Sequence, residues 1–200
     1  MVVLAWQILE SHLIKSHTIG TLYKGAGPGT HWHIRDPRSV GFTPQGAFLS
    51  SANAMLNHIS AFSNQSPYLS FSTSFAIARE YALNGPGGFA TAVQPGYVYE
   101  VDLSTLSSRI TLFDPVNYIS SNSNGLLPHE HNGGYELIAE VAQVAPVVIN
   151  YTRPRAVGGG VCHPNISISL KALVNAIRDA EILVHGNVPH GAVVRRHDVF

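Results

Sequence analysis

Apolar residues along this chain fall in short runs separated by clusters of Gly, Pro, Ser and Asn. From residue 18 to Tyr23 a β-type run is expected to stop at Gly25-Ala26-Gly27-Pro28-Gly29, where the glycines and the proline predict a loop. Residues 51–62 carry Ala54, Met55, Ile59 and Phe62 at helical spacing and predict a helix. A strand is expected over residues 69–75 and a helix from there to Leu83. At their junction stand three small hydroxyl residues, Ser72-Thr73-Ser74, whose oxygens suit the orphan N–H groups of a first helical turn. Asn84-Gly85-Pro86-Gly87-Gly88 is a strong breaker and reads as a mobile loop. Residues 97–103 and 110–113 read as strands, and 117–134, rich in Ser, Asn and Gly, as irregular. Further strands are expected over 137–141, 144–151, 182–184 and 192–194, with a turn at Gly158-Gly159-Gly160 and a helix over 170–179.

Mostly short strands with a few helices predict an α+β domain built on packed antiparallel sheets. A length of 200 residues suits one compact domain. The start of the chain, with Leu4, Ile8, Leu9 and Leu13 at helical spacing, reads as an amphipathic helix (residues 1–17) packed on that domain. It lacks the basic region and continuous apolar core of a signal peptide, and no stretch approaches the roughly 18 apolar residues a membrane span needs. The formal net charge is zero and no Lys/Arg run occurs, which argues against broad electrostatic binding of nucleic acid or membrane. A lone cysteine, Cys162, excludes an internal disulfide framework and reads as a small apolar filler.

Candidate chemistry narrows further by exclusion. The glycine clusters match neither a dinucleotide-binding nor a P-loop pattern, and Gly-x-Ser-x-Gly is absent. His31-Trp32-His33-Ile34-Arg35-Asp36 reads as a His-rich loop that edges a nucleotide pocket or covers the sheet. His129-Glu130-His131 is the only other His pair of this kind, and its spacing does not complete a metal site.

Three separated segments then stand in a telling order. Leu22-Tyr23-Lys24 ends the first strand, Ser72-Thr73-Ser74 opens a helix, and Glu181 begins a late strand followed by Gly186, Val188, Pro189 and Val193. With Gly41-Phe42-Thr43-Pro44-Gln45-Gly46, Gly96-Tyr97-Val98-Tyr99-Glu100-Val101 and Leu112-Phe113-Asp114-Pro115-Val116-Asn117, this order resembles the mono-ADP-ribosyltransferase superfamily, in its branch of cholera, heat-labile and pertussis toxins. The resemblance runs from about Leu22 to the C-terminus. It implies a split two-sheet β core with flanking helices, NAD as co-substrate, and transfer of ADP-ribose to a host protein, with ubiquitin a candidate by analogy. It also implies a toxin or bacterial effector, secreted or translocated into a host cell and monomeric.

On this resemblance Glu181 stabilises the oxocarbenium character that develops as the nicotinamide–ribose bond breaks. Ser72 orients Glu181, Lys24 after Tyr23 clamps NAD, and Thr73 and Ser74 hold the strand end. Lys24 stands where the family usually has Arg, a point charge in place of a planar fork, so Arg35 and Arg38 in the next segment are alternative clamps. Glu136 and Glu140, ahead of an apolar run with Pro146, are rival carboxylates. The family's arginine-modifying members carry Glu two positions before the catalytic Glu; here Asp179 stands there, one methylene shorter, which directs the reading to an acceptor other than arginine. Thr, Ser, Asn, a nucleobase or water remain as acceptors. The rival readings are an NAD glycohydrolase, with water as acceptor, and a non-catalytic binding module of the same fold.

Overall fold

A computed structural model describes residues 20–46, 50–60, 65–122, 126–128, 135–137, 172, 175–176 and 179–200. The expected N-terminal helix, the strand over 144–151, the turn at Gly158, Cys162 and Glu140 lie outside the described residues. Helical residues Ala172, Asn175, Ala176 and Asp179 fall in the span expected as a helix, the first three of them buried.

The architecture is mixed, with a six-stranded antiparallel sheet at its centre. Its strands are β1 (Thr21–Ala26), β2 (Tyr68–Ser72), β5 (Gly96–Asp102), β6 (Thr111–Phe113), β9 (Glu181–His185) and β10 (Val193–Val199), in the order β10-β5-β1-β2-β9-β6. Two small hairpins accompany it, β3 (Asn84–Gly85) with β4 (Gly88–Phe89) and β7 (Leu126–Pro128) with β8 (Tyr135–Leu137). The helices are α1 (His31–Ile34), α2 (Pro37–Val40), α3 (Ala52–Ser60), α4 (Phe75–Ala82) and α5 (Pro115–Asn122).

Pairing is uneven across the sheet. β1 lies against β5 in continuous register from Thr21↔Asp102 to Ala26↔Tyr97, and β2 against β9 from Tyr68↔His185 to Ser72↔Glu181. Between these two blocks, β1 and β2 share one register position, Tyr23↔Ser72. The sheet is thus two three-stranded halves touching at a seam.

Side chains alternate across a strand, so each half has an inner and an outer face. On one face Leu22, Leu69, Phe71, Tyr99, Val101, Ile182 and Val184 form the main core around Phe42. The Phe42 ring is fully buried, with edge contacts to Trp32, Phe71 and Tyr99 at 4.9, 5.2 and 5.8 Å. Burial of such a ring is worth about 1.5–3 kcal/mol. On the other face α4 lays Ala78 and Ala82 against Val98 and Val199, flanked by Tyr23 and Phe75.

Several expectations change. The first strand runs through Gly25 rather than stopping there. A Cβ at Gly25 would sit 2.0 Å from the carbonyl oxygen of Ala78, so this glycine lets α4 approach the strand and does not end it. Gly25→Ala is expected to destabilise the fold by about 1–3 kcal/mol, as overpacking against an unyielding backbone does, read as a fall in melting temperature. The breaker at residues 84–88 is a hairpin, fastened by the Gly87 N–H donating to the Pro28 carbonyl at 2.8 Å. Residues 117–134 are not wholly irregular. Asp114 accepts from the N–H groups of Val116 and Asn117 at 2.9 and 3.1 Å, Pro115 takes the first helical position, and α5 follows; β7 and β8 then pair. Finally, the His-rich loop begins as the helix α1.

Candidate functional site

Three of the expected site residues share the seam. Tyr23, Ser72 and Glu181 stand in one row across β1, β2 and β9. Ser72 and Glu181 are both buried, at 6% and 7% exposure. A carboxylate this enclosed is held at the start of a strand by what precedes it, and Ser72 fixes that segment. Its hydroxyl donates to the Asp179 carbonyl at 2.7 Å while accepting from the Ser74 N–H at 3.0 Å. The hydroxyl proton therefore lies on the turn that delivers Glu181. Ser72→Ala removes both bonds, and a fall in melting temperature and slower turnover are expected together, measured on one preparation.

The neighbouring hydroxyl residues serve the same junction. The Thr73 N–H donates to the Ala180 carbonyl at 3.0 Å. The Ser74 hydroxyl caps α4, accepting from the Ile77 N–H. Tyr23 sets its ring edge-on against Phe75, centroids 5.6 Å apart.

Lys24 alternates with Tyr23 and leaves β1 on the opposite face. Its ammonium crosses from β1 to β2 and donates to the Ser70 carbonyl at 2.7 Å, with the Phe71 ring centroid 5.8 Å away. Burial pulls its pKa from 10.5 down to about 8, against the opposing pull of the Glu181 and Asp179 charges. Lys24 thus keeps its proton at neutral pH and lies within electrostatic reach of the buried carboxylate.

The alternative cations stand elsewhere. Arg38 is committed to Asp36, its Nε donating to both carboxylate oxygens at 3.1 and 3.0 Å, and Arg35 is exposed at the end of α1. Glu136 lies on the β7–β8 hairpin, apart from the six-stranded sheet. His33 spends its ring on structure: Nδ1 accepts from the Gly29 N–H at 3.4 Å, Nε2 donates to the Pro95 carbonyl at 2.9 Å, and the ring stacks on Tyr97 at 4.5 Å. Trp32 packs on Phe42 in the core. Among the described residues no group of three His, Cys, Asp or Glu side chains has metal-binding geometry.

Sequence reasoning missed His58. On α3 it is buried at 6% exposure, and its Nε2 lies 2.6 Å from the Ser70 Oγ, on the same residue whose carbonyl holds Lys24. Its Nδ1 is buried without a hydrogen-bond partner among the described residues. Burial, and then the charge of Lys24, push its pKa down to about 3, so the ring is neutral at physiological pH. The signal was there to read: a histidine between Met55 and Ile59 on the buried stripe of a helix.

No family model matches this sequence, and no curated protein matches it significantly. Among solved structures the fold is similar to a chain described as a nicked CARDS toxin, at 15% sequence identity and a TM-score of 0.38. The match covers 88% of this chain and 24% of the toxin chain, so this sequence spans about a quarter of that protein's length.

Proposed function

We propose that this chain is a toxin- or effector-type mono-ADP-ribosyltransferase that transfers ADP-ribose from NAD to a host protein. The observation that carries the reading is the row of Tyr23, Ser72 and Glu181 at the one register position shared by the two half-sheets, with Lys24 next in β1 and within electrostatic reach of Glu181. The reaction needs a fixed negative charge where the ribose becomes oxocarbenium-like, and a fixed positive charge for the pyrophosphate. A buried carboxylate and a half-buried ammonium, held by different halves of the sheet, would supply that pair with little reorganisation. The single register position shared by β1 and β2 supports reading the sheet as two halves, as the motif order implies. Asp179 precedes Glu181 by two residues and accepts a hydrogen bond from Tyr81, which supports an acceptor other than arginine.

Nicotinamide release from NAD tests the reading, with and without polypeptide acceptors. Release with label transferred to protein supports the transferase, and release into water alone the glycohydrolase. The feature favouring a non-catalytic module is the Lys24 ammonium, already bonded to the Ser70 carbonyl where the family has the fork of an arginine. No release at millimolar NAD would decide for that module.

A further inference from the structure

The turn ahead of β9 is both strained and clamped. Ala180 adopts φ of 44°, a left-handed backbone that costs an L-residue about 1–2 kcal/mol. Such a conformation persists only where its surroundings over-determine it. Three clamps come from one unit, the end of β2 and α4. The Ser72 hydroxyl takes the Asp179 carbonyl, the Thr73 N–H takes the Ala180 carbonyl, and the Tyr81 hydroxyl donates to Asp179 Oδ2 at 2.7 Å. The first two belong to the hydroxyl triplet. Tyr81 stands apart, two turns along α4 and 39% exposed. A phenol spending its hydroxyl on a charged carboxylate makes one of the stronger kinds of hydrogen bond.

We propose that Tyr81 is a positioning residue for Glu181, holding through the Asp179 side chain the strained turn from which β9 departs. The catalytic part of this statement rests on the function proposed above; the mechanical part does not. Tyr81 touches neither NAD nor the acceptor in this role. It sets the carboxylate's place by denying the turn its relaxed form.

Two substitutions separate bond from charge. Tyr81→Phe removes the phenol hydroxyl and leaves the Asp179 charge. Asp179→Asn removes the charge and leaves an amide oxygen to accept from Tyr81. Exchange of the Thr73 amide proton, which is bonded to the Ala180 carbonyl, reports whether the turn stays shut. Tyr81→Phe is expected to speed that exchange about tenfold and to lower kcat for nicotinamide release about tenfold with KM for NAD little changed. Asp179→Asn keeps an acceptor oxygen but gives up the charge assistance, so it should speed that exchange less than Tyr81→Phe does. Unchanged Thr73 exchange in Tyr81→Phe overturns the proposal, whether or not the protein turns over NAD. Faster exchange with unchanged kcat overturns its catalytic half. Loss of rate in Asp179→Asn with exchange unmoved assigns the effect to charge, and likewise overturns positioning. If the parent releases no nicotinamide, the proposed function fails and the exchange result alone decides whether the clamp is real.

Discussion

Glu181→Gln is expected to slow nicotinamide release from NAD by at least about a hundredfold while fold and NAD binding persist. The amide matches the carboxylate in shape but carries no charge to set against the developing oxocarbenium ion. The effect belongs in kcat, because the charge it answers exists only in the transition state. A second consequence follows from the seam. The Glu181 charge raises the pKa of Lys24, so its removal leaves the ammonium below its present value of about 8. The comparison therefore belongs near pH ~6.5, where Lys24 stays protonated in both proteins. Near-parental turnover in Glu181→Gln, with Glu136→Gln or Glu140→Gln inactive, would move the site to the other segment.

Affinity for NAD is expected to fall about tenfold between pH 7 and pH 9 in the parent protein, and to stay level in Lys24→Arg. With a pKa of about 8, the Lys24 ammonium is mostly charged at the lower pH and mostly neutral at the higher. An arginine keeps its charge throughout. The same shift acts on stability with a definite sign. Burial depresses this lysine in the folded chain, so between pH 8 and 10.5 the unfolded chain binds the extra proton and stability rises with pH. Below pH 8 the burden of the confined charge is present in full. Lys24→Met should therefore raise the melting temperature at pH 7 while abolishing NAD binding. Calorimetric titration and thermal unfolding over this pH range check both. Affinity that ignores pH and survives Lys24→Ala would remove this side chain from the site.

What the sequence revealed and what it hid divide along the range of the forces concerned. Ser72-Thr73-Ser74 was legible because a cap acts within one turn of its helix, and the apolar run after Glu181 marked β9 for the same local reason. Composition hides helix α5 in a Ser- and Asn-rich stretch, while the Asp114 cap and Pro115 that start it carry the signal. Strand β10 runs to Val199, well beyond the expected 194. Arg195, Arg196, His197 and Asp198 put polar groups on both faces of an edge strand, which erases the alternation that marks a strand. The row Tyr23–Ser72–Glu181 is out of reach of any local pattern, since its register joins residues far apart in the chain. His58 and Tyr81 were hidden likewise: their meaning lies in Ser70 and Asp179, partners supplied by other elements.

The lone register shared by β1 and β2 also shapes how the domain breathes. Each half-sheet is knitted by its own ladder, so parting them sacrifices far less backbone hydrogen bonding than unravelling either one. Least-protected regions of a protein open as cooperative units at a fraction of the global free energy. Here that weakest joint coincides with the buried Glu181 carboxylate and adjoins the half-buried Lys24 ammonium. A dinucleotide gripping both sides would act as a rivet across it, slowing amide exchange in the two ladders together and raising the melting temperature by mass action.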